Sequence, residues 1–280
     1  LKQENASVNS MILHGSEPLA AMALLAGSPY PRPFFEIAWK KILINQAHDA
    51  VGGCSVDPVH QEMQARWSEV RAISEEICRN SMKKVARRID GSSIQPQNLQ
   101  LTLFNPLPFP RDEVVRVIID IPSENPRARF TVETTEGRPV PIQVISRQSA
   151  DPTIEGGYEL SMPFKVQRFV TDIQMENLPA MGHQALVVKP AGKPAIRKED
   201  IVRSRTEMEN EFLRVRVNLN GTIAIEDKTS GRIMENLCLL EDCAEFGDPW
   251  NHVVPDGDRH LTSASARAQA PLEPCAAATA

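Results

Sequence analysis

The stretch "VDPVHQEMQARWSEVRAISEEICRNSMKKVARRID" (residues 56–90) decides the fold class of the first part of the chain. Val59, Met63, Trp67, Val70, Ile73, Ile77, Met82, Val85 and Ile89 recur every three or four residues, the spacing of one helical face. Asp57 suits an N-cap, Pro58 the first helical position, and the basic "MKKVARR" the negative end of a helix dipole. At 1.5 Å per residue such a helix is roughly 45–50 Å long. It cannot bury its stripe alone and requires helical partners along much of its length. Two candidates precede it. "EPLAAMALLAG" (17–27) has Pro18 in its first turn and Gly27 at its end, and "FFEIAWKKILINQAHDA" (34–50) carries Phe35, Ala38, Trp39, Ile42 and Leu43 at helical spacing. The simplest packing is a three-helix bundle. The first ten residues, "LKQENASVNS", read as a polar lead-in to a chain that starts at Leu rather than Met, as a fragment would.

The period changes near residue 91. "DGSSIQPQNLQ" (90–100) is a linker of turn formers, and β-branched or alternating runs follow at roughly ten-residue spacing. These are 99–105, 112–121, 129–135, 140–146, 158–164, 166–174, 183–190, 210–234 and 238–242. Asn220-Gly221 is a type I′ hairpin signal and "EDKTSG" closes the next turn. Many short strands with prolines between them point to an antiparallel β-sandwich. The expected class is therefore α+β and multidomain: a bundle over 1–91, a truncated sandwich over 92–262, and a disordered Ala/Ser/Pro-rich tail over 263–280.

Composition excludes several function classes. The chain has 280 residues, 41% hydrophobic and 24% charged, with a net charge of −5, so it lacks the basic excess of a nucleic-acid-binding protein. No apolar run reaches the length of a membrane span, and none has the basic flank of a signal peptide. Five cysteines (54, 78, 238, 243 and 275) at irregular spacing, with no CxxC, point to reduced thiols in a cytoplasmic protein. Cys238 and Cys243 with His252 lack the paired spacing of a structural zinc site. P-loop, GxSxG and dinucleotide-binding fingerprints are absent.

Two constellations carry potential chemistry. "NQAHDAVGGCS" (45–55) places His48 and Asp49 together at the end of the second helix, before Gly52-Gly53. By residue type alone this reads as a helix C-terminus, with a His suited to the dipole and glycines free to take the left-handed turn. A single imidazole cannot hold a metal, which takes three or four ligands. The second is "FGDPWNHVVPDGD" (246–258), where Trp250 lies among Asp248, Asn251, Asp256 and Asp258, an aromatic face beside carboxylates such as a sugar site uses. An exposed turn around a half-buried Trp is the plainer reading. His60, one turn into the long helix, reads as a packing or solvent-facing residue, and His183 and His260 as surface residues.

The ordered series Glu17-Pro18, Tyr30-Pro31, Ala38-Trp39-Lys40, Asn45, His48-Asp49, Gly53-Cys54-Ser55, Asp57, Val59-His60 and Arg66 resembles the bacterial branch of glycoside hydrolase family 38, the retaining α-mannosidases. "LTLFNPLPFPRDEVV", "LPAMGHQALVV" and the run from "MENEFLRV" to "FGDPW" are similar to that family's β region, so the resemblance spans roughly residues 10–260. The resemblance implies an enzyme with an α/β barrel, a three-helix bundle and large β-sandwich domains, acting on α-mannosides with one zinc-type divalent metal. It implies that His48 is a metal ligand, that Asp49 contacts sugar hydroxyls and that Trp250 matches an aromatic of the sugar pocket. Animal members often carry a second His before the motif, where this chain has Gln46-Ala47. The resemblance places the nucleophile, the acid/base carboxylate and the other metal ligands in the barrel. Retaining glycosidases need two carboxyl groups about 5–5.5 Å apart, and this chain offers no such pair. By itself it is expected to be inactive, with an incomplete metal site. Expected partners are an α-mannoside, with no nucleic acid and no membrane, and with a homo-oligomer left open. The rival reading is a non-catalytic carbohydrate-binding or interaction module of the same architecture.

Overall fold

The computed structural model describes residues 1–92, 94–125, 127–154, 162–190, 201–248 and 251–268. The chain forms two compact units, Leu1–Ala195 and Ile196–Ala280.

The long helix is α5, Asp57–Ala86. Val56 is its N-cap, so Asp57 and Pro58 both lie inside the first turn, one position later than the sequence suggests. Its buried seam is Met63, Trp67, Val70, Ser74, Ile77, Ser81 and Val85, at steps of three or four residues that keep it on one side. Two of the seven are serines where Ile73 and Met82 were expected; the larger apolar neighbours sit half-buried at the flanks. Against this seam pack α1 (Lys2–Met11), α2 (Glu17–Leu25) and α3 (Arg32–Asn45). Val8, Ile12, Ala20, Phe35, Ala38, Ile42, Met63, Trp67, Val70 and Ile77 form the main core, and Leu19, Met22, Ala23 and Val85 a second cluster.

The "polar lead-in" is therefore a helix. α1 and α2 are joined by a π-helical segment, Ile12–Ser16, in which the Glu17 N–H donates to the Ile12 carbonyl five residues back. α1 offers one buried apolar residue, Val8, and is tied down by an Arg71–Glu4 ion pair to α5. Its order comes from tertiary contact, which a ten-residue window of mostly polar residues cannot signal. Gly27 ends α2 at φ +86°, as expected of a helix-terminating glycine.

The strands of the first unit are β1 (Leu99–Asn105), β2 (Arg111–Pro122), β3 (Phe130–Thr134), β4 (Ile142–Ala150), β5 (Thr153–Ile154), β6 (Met162–Pro163), β7 (Val166–Leu178) and β8 (Gly182–Pro190). Of the expected strand at 158–164, residues 158–161 lie outside the described residues. β1-β8-β3 and β2-β7-β4 are antiparallel three-stranded sheets whose inner faces share one core. Leu103, Phe130, Val132, Leu186 and Val188 come from the first sheet, and Ile119, Ile121, Ile142, Phe169, Ile173 and Met175 from the second. Phe130 and Phe169 meet edge to face at 5.0 Å. Arg116–Asp172 and Arg168–Asp120 form two-toothed cross-strand pairs on the outer face of the second sheet. The helix-plus-sandwich class read from the sequence is the architecture of this unit.

In the second unit β9 (Val202–Ser204), β10 (Glu207–Glu209), β11 (Leu213–Val217), β12 (Ile223–Asp227) and β13 (Arg232–Leu237) make an antiparallel sheet in the order 13-12-11-10-9. The Asn220-Gly221 turn is not type I′, which needs positive φ at both central residues. Only Gly221 is left-handed, at φ +83°, and Asn218 pairs with Thr222 across a three-residue loop. The Asn220 side chain accepts from the Thr222 N–H and hydroxyl, which favours the longer loop. β14 (Glu241–Asp242) pairs with β15 (Leu261–Thr262), and Ser263–Ser265 form a 3-10 turn at the head of the low-complexity tail; residues 269–280 lie outside the described residues. Between β14 and β15, Glu245 gathers its loop. Its carboxylate accepts from the Gly247 N–H at 2.6 Å and the Val253 N–H at 2.8 Å and meets the His252 ring.

Among the described residues no helix is long and apolar enough to cross a membrane. Cys54, Cys78, Cys238 and Cys243 are free thiols.

Two outcomes follow from this packing. Trp67, 1% exposed at the centre of the α5 seam, should cost about 3–5 kcal/mol of unfolding free energy when replaced by Ala, read by denaturant titration. The N–H groups of Val253 and Gly247 and the His252 ring hold the Glu245 carboxyl down from its ordinary 4.5 to about 2. A carboxylate with a depressed folded-state pKa stabilises its loop above its unfolded value and loses that contribution as the pH falls through the folded one. Exchange protection of the Gly247 and Val253 amides should therefore fall between pH 4.5 and 2, and should already be lost at neutral pH in Glu245→Gln.

Candidate functional site

α3 stops at Asn45, Gln46 and Ala47 break the helix, and a new five-residue helix, α4, runs from His48 to Gly52. His48 and Asp49 thus open a short helix rather than close a long one, and the dipole rationale for a histidine there does not apply. Ala47 supplies the entry turn at φ −52°, ψ 127°, and its carbonyl accepts from both Ala50 and Val51. Gly53, at φ +88°, turns the chain out, and the Cys54 N–H closes back on the Asp49 carbonyl at 2.9 Å. Gly52 stays helical; one glycine of the pair does the left-handed work.

Ala50 sets the direction of this turn. It is 6% exposed and packs into the bundle core with Phe35, Ala38, Ile42, Met63 and Trp67. On so short a helix, burying Ala50 swings the two preceding residues to the outside. The His48 side chain is 94% exposed and that of Asp49 66%, with His48 Nε2 lying 3.2 Å from Asp49 Oδ1. The structure presents these two residues together and open.

The buried end of α3 holds a polar residue that the spacing argument assigned differently. Leu43, expected on the apolar face, is exposed, and the stripe Phe35, Ala38, Ile42 ends on Asn45, fully buried. Asn45 Nδ2 donates to the Met63 carbonyl at 3.1 Å, and its Oδ1 accepts from Arg66 at 3.2 Å. Arg66 is also paired with Glu62. The step from 42 to 45 is the stripe's own three-residue spacing; the signal was present and was overridden by residue type. Nearby, Trp39 Nε1 donates to Glu17 Oε1 at 2.8 Å, Gln46 donates to Asn5 at 2.9 Å, and Tyr30 stacks on Phe35 at 5.2 Å. Burial, and Glu17 after it, push the Tyr30 hydroxyl pKa up. His60 is half-buried, with Nε2 out of contact with solvent and without a partner among the described residues.

The second constellation is only partly visible. Trp250 lies outside the described residues. In its loop Asn251 donates to Asp248, Asp258 accepts from the Ala244 N–H at 3.0 Å, and Glu245 does the holding described above. This loop belongs to the second unit and His48 to the first.

A divalent metal fits the His48 imidazole as one donor, flanked by a carboxylate that can orient it. It does not fit as a closed site: among the described residues no three His, Cys, Asp or Glu side chains are placed to share an ion.

Known proteins resemble this chain along most of its length. Residues 1–85 match the model of the "Alpha mannosidase middle domain". A protein of Halalkalibacterium halodurans named "Putative mannosylglycerate hydrolase" is 26% identical over 289 residues, 94% of this chain and 32% of that protein. Among solved structures, an alpha-mannosidase from Enterococcus faecalis V583 superposes with a TM-score of 0.86 at 24% identity, over 95% of this chain and 32% of that one. A glycosyl hydrolase family 38 protein from Enterococcus faecalis gives 0.85 at 25% identity, over 96% and 34%. The chain thus spans about a third of the length of these relatives. Residues 1–85 thus match an α-mannosidase middle domain, and nearly the whole chain shares its fold with about a third of the length of such glycoside hydrolases.

Proposed function

We propose that this chain is the part of a cytoplasmic retaining α-mannosidase that brings one metal ligand and one sugar contact to the active site. The bundle (1–91) carries both and the β region (92–262) adds an aromatic wall. The observation that carries this reading is the presentation of His48 and Asp49 side by side from a turn whose backbone is pinned to the bundle core. Its support from outside is the middle-domain match over the segment that contains them.

In this reading His48 supplies one coordination position to a zinc-type divalent ion, and Asp49 accepts hydrogen bonds from sugar hydroxyls. With Nε2 beside Asp49, the carboxylate can take the ring N–H and leave the other nitrogen's lone pair for the metal. When bound, the ion would hold sugar hydroxyls and help distort the ring. Trp250 would stack on an apolar sugar face. The nucleophile, the acid/base carboxylate and the remaining ligands belong to the part of the relatives' length that this chain does not span. The four cysteines among the described residues are free thiols, in accord with a reducing compartment.

The test is made on the full-length enzyme that carries this chain. His48→Ala should lose bound metal and at least 100-fold in mannoside hydrolysis with an unchanged far-UV spectrum. Full metal content and turnover in that variant would refute the ligand role. Asp49→Asn should keep the metal and lower kcat/KM roughly 10–100-fold, the worth of a hydrogen bond to a charged group. The 280-residue chain assayed alone should show no mannoside turnover and no stoichiometric tight zinc.

A further inference from the structure

We infer that Asn45, with Arg66, is a positioning residue for the His48-Asp49 turn. This inference rests on the reading of His48 as a metal ligand and adds a residue to it. Asn45 is the last residue of α3, and only Gln46 and Ala47 separate it from His48. It is 0% exposed on an otherwise apolar stripe, where a hydrophobic side chain would pack without any need for partners. A buried amide is tolerated there only because both its ends are used. Nδ2 takes a lone pair of the Met63 carbonyl, and Oδ1 takes an Arg66 N–H. Both partners lie on α5, the element to which every helix of the bundle is referred. The Asn45 side chain is therefore a rigid strut from the end of α3 to the long helix.

Beside the exposed Gln46–Asn5 hydrogen bond, three features hold the turn, and each acts at a different point. Asn45 fixes where the chain enters, Ala50 plugs the midpoint into the core, and Gly53 sets the exit at a left-handed φ. Ala50 and Gly53 constrain direction, but a methyl group slides in an apolar site. A directional, two-ended hydrogen bond does not, and it fixes α3 against translation along α5. A ligand for a metal must be held within about half an ångström to count fully. His48 is nearly free of side-chain contacts, so its placement is inherited from the backbone that Asn45 anchors. Arg66 completes the strut: its guanidinium is held by Glu62 one turn away and so arrives at Asn45 already oriented.

The experiment compares variants of the full-length enzyme for zinc affinity, by competition with a chelator, and for amide exchange of the 46–54 segment, by mass spectrometry. Asn45→Ala, or the milder Arg66→Lys if Asn45→Ala does not fold, should weaken zinc at least 10-fold and speed exchange across 46–54. The control is Val85→Ala, which lies in the separate apolar cluster at the far end of α5. At a matched fall in Tm it should leave both readouts unchanged. Equal loss of zinc affinity in Asn45→Ala and Val85→Ala, or no loss in either, would overturn the positioning role. If His48→Ala loses zinc while Asn45→Ala binds as wild type, only this inference fails; if His48→Ala binds zinc fully, the ligand reading fails and takes this one with it.

Discussion

A helix of thirty residues with one apolar seam has to be covered along its length, and the bundle is built by that requirement. α1, α2 and α3 all pack on α5, and none of them is long enough or amphipathic enough to stand alone. Ser74 and Ser81 are the two small polar residues of that buried seam. The π-helical segment between α1 and α2 keeps Ile12 and Ser16 turned inward across the join. The same seam reaches the sandwich: Val85 and the half-buried Met82 share a cluster with Phe104 of β1.

That rigidity is what gives the exposed His48-Asp49 pair a meaning. An exposed His next to an exposed Asp on a mobile loop would be an ordinary surface feature. Here the loop is clamped at entry, midpoint and exit by Asn45, Ala50 and Gly53, and the two side chains stand clear of the core. A carboxylate beside an imidazole is how proteins orient a ligating histidine. Among the described residues no three His, Cys, Asp or Glu side chains are placed to share an ion, so the pair stands by itself as one imidazole and one carboxylate.

Much of this was legible in advance. The period-3.6 stripe of α5 and the ten-residue spacing of the strands are one-dimensional signals of which face is buried, and both elements formed where those signals lie. The motif residues around His48 also stood out as a series. Where residue type and spacing disagreed, residue type misled. Leu43, apolar and at helical spacing, is exposed, while Asn45 holds the buried position. Lone side chains were also read apart from their partners: the mostly polar α1 is ordered by Arg71, sixty residues away or more, and no local window contains that ion pair. The hairpin at Asn220-Gly221 went to a three-residue loop because the Asn220 side chain bonds Thr222 instead of taking a left-handed backbone.

The sequence alone determined the secondary-structure periods, the switch from helix to strand, and the identity of the His-Asp pair, because each is written in residues close together in the chain. Tertiary structure decided which way that pair points. His48 faces out because Ala50 is drawn into a core shared with Met63 and Trp67, and because Asn45 finds its partners on α5. Burial and hydrogen-bond satisfaction are properties of elements brought together from distant parts of the chain. Spacing could nominate His48 and Asp49, but only packing could present them.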